Sequence, residues 1–77
     1  MDLRQLEYFV AVVEQGSFSR AAMALNLAQP SVSRQIAVLE DELGQRLLER
    51  TGRGVTATDA GQALLVHAHV MLNAAKQ

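Results

Sequence analysis

The stretch Gln29–Arg50, QPSVSRQIAVLEDELGQRLLER, decides how this chain of 77 residues folds. It begins with polar side chains around Pro30, continues with apolar residues at helical spacing, and breaks at Gly44. Apolar residues three or four positions apart form one face of an amphipathic helix. The residues predicted to bury that face are Val32, Ile36, Leu39 and Leu43. The segment therefore predicts an anchored helix whose polar, cationic start faces outward.

Two further helices are predicted before this segment. Helical spacing of apolar residues indicates a first helix from Leu3 to Gln15, ended by Gly16. A second helix is expected from about Ser19 to Leu25, with Ser17 as its N-cap, because a serine hydroxyl accepts a free backbone N–H there. Asn26 tolerates positive φ better than most residues, so it suits a tight turn between two helices.

The chain after Gly44 predicts a small β-hairpin. Two short runs, Leu47–Arg50 and Val55–Ala57, flank the segment Thr51-Gly52-Arg53-Gly54, in which two glycines bracket Arg53. The hairpin would therefore place Arg53 at its tip.

A last helix is predicted from Asp59 to the end of the chain, with Thr58 as its N-cap and Asp59 favourably placed against the helix dipole. Its apolar residues form two neighbouring stripes, a band wider than one small domain can cover, so we expect part of it to meet a partner. The band consists of Leu64, Leu65, Ala68, Met71, Leu72 and Ala75.

Two short helices joined by a tight turn, with the pair Ala21-Ala22 in the first, are typical of a helix-turn-helix. The second helix of such a pair lies in the major groove of DNA and contacts base edges with its first residues. Arginine pairs with guanine, glutamine with adenine, and serine with bases or phosphates. The residues expected to contact DNA in this way are Gln29, Pro30, Ser31, Ser33 and Arg34.

The hairpin would supply a second contact. Arg53 could enter a minor groove, where a narrow groove concentrates negative potential. Arg50 could meet a phosphate, but a salt bridge to Glu49 or Asp59 is an equally good interpretation.

The formal net charge of −1 argues against a generic nucleic-acid binder. The distribution of charge matters more, because arginines but no acids occur between Glu14 and Glu40 and again between Glu49 and Asp59. The acidic run Glu40–Glu42 is interpreted as the solvated far end of the third helix, past the groove.

Other classes of protein receive no support from the sequence. The chain has no cysteine, and its apolar runs fall far short of the ~20 residues of a membrane span. His67 and His69 are two positions apart on a helix and so point in different directions, which disfavours a shared metal. No catalytic set stands out, so we expect no enzyme, no cofactor and a cytoplasmic location.

Taken in order, several motifs resemble the N-terminal DNA-binding domain of LysR-type transcriptional regulators, and the resemblance covers nearly the whole chain. They are Leu3-Arg4-Gln5-Leu6, Tyr8-Phe9, Gly16-Ser17-Phe18-Ser19, Ala21-Ala22, Gln29-Pro30-Ser31-Val32-Ser33, Ile36, Leu39-Glu40, Leu43-Gly44, Leu47-Leu48-Glu49-Arg50, Thr58 and Ala60-Gly61.

The resemblance implies a mainly α fold, a winged helix-turn-helix with a three-helix core and a two-strand wing over residues 1–58. Residues 59–77 would form a long linker helix that packs antiparallel against its twin in a homodimer, with a tetramer left open for the full-length parent. The dimer would bind a pseudo-palindromic promoter site on double-stranded DNA at the bacterial nucleoid. A small-molecule effector would act only through a larger domain that this chain lacks.

A rival interpretation stays open at this point. A winged-helix module for protein interaction or dimerisation, without DNA binding, would also account for the fold and for the slightly acidic net charge.

Overall fold

The computed structural model describes residues 1–76, which form four helices and one two-stranded antiparallel sheet. This architecture confirms the predicted mainly α, winged helix-turn-helix fold. Gln77, which was predicted to continue the last helix, lies outside the described residues. The elements are α1 (Leu3–Gln15), α2 (Phe18–Leu25), α3 (Gln29–Leu43), β1 (Leu48–Thr51), β2 (Gly54–Ala57) and α4 (Asp59–Ala75).

Short side chains cap the starts of α1, α2 and α4. The Asp2 carboxylate accepts the Gln5 N–H at 2.8 Å, and the Gln5 side-chain oxygen accepts the Asp2 N–H at 3.1 Å, which is a capping box. Ser17 and Thr58 each accept a backbone N–H from three residues further on. These two bonds confirm the predicted N-caps.

The turn between α2 and α3 has the predicted geometry. Asn26 lies in the left-handed region, with φ 59° and ψ 45°. Ala28 precedes α3, so Gln29 is its first residue and Pro30 its second. A proline in the first turn removes an N–H that has no partner within the helix anyway, and it therefore leaves the helix intact.

The core gathers around α1, which packs against the other three helices. On α3, Val32, Ile36 and Leu39 are at most 2% exposed, and burying each such side chain contributes about 1.5–3 kcal/mol. Leu43 was predicted to be buried with them, but this prediction is wrong, because Leu43 remains 37% exposed. The chain turns back after α3, and Leu47, at 1% exposure, fills the core near this end instead.

Helix α4 lies along α1. Ala68 is completely buried against Leu6 and Val10. The first turn of α4 packs closely against Leu47, just before the wing, and this requires glycine at position 61. A Cβ at Gly61 would lie 2.1 Å from the carbonyl oxygen of Leu47. Across residues 1–76, none of the helices combines the length and apolar character that a membrane crossing requires.

Candidate nucleic-acid interface

The first two turns of α3 present the predicted polar surface. Pro30 and Arg34 are exposed, while Gln29, Ser31 and Ser33 are half-buried. The Gln29 side-chain amide donates to the Ser33 hydroxyl at 2.6 Å. This amide nitrogen carries two hydrogens, so Gln29 keeps one donor and its oxygen for an outside partner while the bond to Ser33 fixes its direction.

A side-chain hydrogen bond between two glutamines joins α3 to α1. Gln5 is 5% exposed, and its amide nitrogen donates to the side-chain oxygen of Gln35 at 3.1 Å. Gln35 follows directly after Arg34. Sequence reasoning missed this pair. The spacing Asp2-x-x-Gln5 signals the capping box, but nothing local signals the bond from Gln5 to α3.

The wing is attached to the turn between α1 and α2. The Val55 N–H donates to the carbonyl oxygen of Gly16 at 3.0 Å. Gly54 has φ 136°, and a Cβ there would lie 2.4 Å from the same carbonyl oxygen, so this close approach requires glycine. Arg53 sits at the exposed tip, where its backbone N–H donates to the Thr51 hydroxyl at 3.2 Å.

Arg50 is exposed and lies over an aromatic ring. Its guanidinium carbon is 4.6 Å from the centre of the Phe18 ring. Among the residues that the structure describes, neither Glu49 nor Asp59 forms an ion pair with it. Arg50 and Gln29 line one cleft of about 260 Å³ between α2, α3 and the wing. The structure thus brings these two predicted contact residues together, whereas Arg53 lies apart from that cleft at the wing tip.

The acidic end of α3 is not simply solvated, as it was predicted to be. The Glu40 carboxylate is half-buried and accepts the N–H groups of Leu47 at 2.8 Å and Leu48 at 3.3 Å. Glu42 pairs with the N-terminal amine of Met1. The prediction is therefore wrong for Glu40, which joins α3 to the start of the wing, and it holds for Asp41, which is exposed.

The two histidines of α4 are both exposed. Within residues 1–76, no group of three or more histidine, cysteine, aspartate or glutamate side chains is arranged to hold a metal ion.

Much of the apolar band of α4 packs within the chain, and its use in a dimer stays a prediction. Ala68 is completely buried and has no surface left for a partner, and Leu64, Leu65 and Leu72 pack against the same cluster on α1. Met71 and Ala75 remain exposed. The most exposed large apolar residues of the helix are Val66 and Val70, each at 65%.

Comparison with known families decides what this arrangement is. The family model described as "Bacterial regulatory helix-turn-helix protein, lysR family" matches residues 3–62. The chain belongs to the LysR family. The nitrogen assimilation regulatory protein Nac of Escherichia coli K12 is 52% identical over 77 residues, which are 100% of this chain and 25% of that protein. The chain thus spans about a quarter of the length of this curated LysR-type relative.

Two solved DNA complexes are similar to the chain throughout. The DNA-binding domain of CbnR with DNA matches with a TM-score of 0.94 and 46% identity, over 99% of this chain and 87% of that one. The DNA-binding domain of BenM with catB site 1 DNA matches with a TM-score of 0.95 and 51% identity, over 100% of this chain and 86% of that one. The structure is therefore a LysR-type helix-turn-helix DNA-binding domain, as the sequence predicted. The individual contact residues stay predictions.

Proposed function

We propose that this domain reads a pseudo-palindromic promoter site on double-stranded DNA as part of a dimeric transcriptional regulator. One observation carries the proposal: the first turns of α3 expose Arg34 and Pro30 outward while Val32 and Ile36 bury the opposite face. The second helix of a helix-turn-helix enters the major groove and contacts bases with its first residues. It therefore needs an exposed polar start and an opposite face that is packed against the domain. The DNA complexes of the CbnR and BenM domains support the same use here.

In this proposal, Arg34 pairs with a guanine edge, because its fork of N–H donors matches two acceptors on that base. Gln29, directed by its bond to Ser33, pairs with an adenine or a neighbouring phosphate. Pro30 and Ser31 are compact, which permits close approach to the groove, and Ser33 contacts a base or phosphate through the free capacity of its hydroxyl.

The wing supplies the flanking contacts. Arg53 at the exposed tip reaches an adjacent minor groove, where arginine is favoured by the negative potential of a narrow groove. Arg50 contacts a phosphate, and its position over Phe18 rather than beside a carboxylate supports this role.

The experiment for the major-groove contact compares Arg34→Ala with the control Arg46→Ala. Both replace one exposed arginine, but Arg46 precedes the wing at the far end of α3. On a duplex selected from random DNA, Arg34→Ala should cost about 1–3 kcal/mol of binding free energy and reduce discrimination against a scrambled duplex.

Equal losses in the two variants would contradict the assignment of Arg34. If the parent binds no DNA at low salt in a mobility-shift titration, the domain is an interaction module without DNA binding and the proposal fails.

We place the dimer contact on the outer face of α4. Residues two positions apart on a helix point about 200° apart, so Val66 and Val70 face away from the buried Ala68. Met71 and Ala75, among the residues predicted for dimerisation, also retain exposed surface, but they lie about 100° and 140° around the helix from Val70, nearer the face that packs on α1. Symmetry of such a dimer would match two half-sites on the DNA.

The dimer test is Val70→Glu, with Met23→Glu as the matched control, because Met23 is an apolar residue of α2 with 79% exposure. Sedimentation should show a shift to monomer for Val70→Glu alone. Its affinity should fall on a duplex with two half-sites and stay unchanged on a single half-site. A Val70→Glu variant that remains dimeric would contradict the placement.

A promoter-reading domain acts where the chromosome is, so the proposal puts the protein in the bacterial cytoplasm. It also gives the domain a binding role rather than a catalytic one, with no cofactor. Effector sensing and any tetramer would belong to other parts of such a regulator.

A further inference from the structure

We propose that Phe18 is a positioning residue for DNA binding: its ring holds the guanidinium of Arg50 so that the N–H edge of that group meets a DNA phosphate. This inference rests on the proposed function and assigns a role to a side chain that the DNA-reading surface of α3 does not include.

A guanidinium that stacks on an aromatic ring keeps its hydrogen-bonding edge available for another partner. The guanidinium carbon lies 4.6 Å from the ring centre, within the ~6 Å over which a cation is attracted to an aromatic face. Stacking uses the flat face of the guanidinium, whereas its N–H donors lie in the plane and point outward from the edge. A salt bridge to Glu49 or Asp59 would occupy those donors, and Arg50 forms neither within residues 1–76.

Phe18 and Arg50 both lie where the wing is attached to the turn between α1 and α2. Phe18 is the first residue of α2, directly after the Ser17 cap, and it packs partly against the core. Arg50 lies on β1 opposite Val55. The Val55 N–H donates to Gly16, so the strand pair is tied to the turn that carries Phe18. Among the described residues, no ring supports Arg53 at the wing tip in this way.

Phe18 and Arg50 lie where the DNA backbone is expected to run in a complex. In a docked helix-turn-helix, the first helix crosses the DNA backbone while the second enters the major groove. Phe18 begins that first helix, and Gln29, the first residue of α3, lines the same cleft as Phe18 and Arg50. Because a long side chain loses rotamer freedom on binding, an arginine already held over a ring gives up less of it when it meets the phosphate.

The test is a double-mutant cycle of Phe18→Leu and Arg50→Ala, with Phe18→Tyr as the conservative variant that keeps the ring. Binding is measured at several salt concentrations on a duplex that the parent chain selects from random DNA. Arg50→Ala should lower the slope of log affinity against log salt by about 1, the signature of one lost phosphate contact. Phe18→Leu should weaken binding about twofold to fivefold.

The cycle separates positioning from a general structural role. We expect Phe18→Leu to cause no further loss in the Arg50→Ala background, and Phe18→Tyr to bind like the parent. A loss of the same factor in both backgrounds, or no loss in the parent background, overturns the inference while leaving the proposed function intact. Absence of DNA binding by the parent at low salt overturns both.

A measurement on the unmodified chain covers the case in which Phe18→Leu does not fold. A ring at this distance shifts nearby proton resonances, so the Arg50 δ-protons should resonate upfield of the values in an unstructured peptide, with and without the duplex. Unshifted δ-protons would overturn the inference without any variant.

Discussion

The two ends of α3 differ in how their charged and polar side chains are used. At the first turns, Arg34 is exposed and the Gln29 amide donates to Ser33 of the same helix. At the last turn, Glu40 holds two backbone N–H groups of the segment that leads into the wing, and Glu42 pairs with the N-terminal amine. The first turns of α3 thus keep hydrogen-bonding groups available for an outside partner, whereas the acidic groups of the last turn form contacts within the chain.

The helix dipole sharpens this difference. Acidic side chains near a helix C-terminus are unfavourable, while an N-terminus attracts anions such as phosphate. The first turns of α3 therefore combine a positive helix end with Arg34. The acids at the opposite end are tolerated because Glu40 and Glu42 have specific partners in the folded chain.

The largest expected effect is on the free energy of unfolding, and it comes from the buried middle of α3, between its two ends. Ile36 is 2% exposed, so Ile36→Ala removes buried apolar volume and should lower the free energy of unfolding by about 2–5 kcal/mol. Arg34→Ala, only two positions away but exposed, should change that free energy by less than about 0.5 kcal/mol. Urea denaturation of both variants measures the contrast, and a comparable loss for Arg34→Ala would show that the first turns also serve the fold.

The next effect concerns the end that serves the fold. Glu40→Ala leaves the N–H groups of Leu47 and Leu48 without their acceptor, and an unsatisfied buried donor costs about 1–3 kcal/mol. Glu40→Gln keeps one acceptor oxygen and should lose less. Hydrogen exchange of the two amides should accelerate in the alanine variant. If alanine and glutamine behave alike, the carboxylate does not hold this segment.

Features governed by neighbouring residues could be predicted from the sequence. Ser17 and Thr58 cap helices through bonds that span three residues, and Asn26 turns the chain because of its own backbone preference. The exposed face of α3 follows from helical spacing, so the positions of Pro30 and Arg34 on that face were also predictable.

Features that depend on tertiary contacts were missed or misassigned. Glu40 was interpreted as solvated because its partners appear only once the chain reverses after Gly44. Leu43 was assigned to the core by its spacing, but Leu47 fills the core near that end. Which part of the apolar band on α4 packs on α1 was also not visible, because spacing along one helix does not reveal which neighbour covers it.

The smallest expected effect tests whether the acidic end lies outside the DNA interface. Asp41 is exposed and lies about 10 Å along the helix axis from Arg34 by helical rise. The charge removed by Asp41→Asn interacts with a phosphate near Arg34 by roughly 0.4 kcal/mol in water, about a twofold gain in affinity. Screening acts over ~30 Å at 0.01 M salt and ~8 Å at 0.15 M, so the gain should appear at the lower salt and vanish at the higher. A gain that persists at 0.15 M would place Asp41 against the DNA, and the division between the two ends of α3 would not hold.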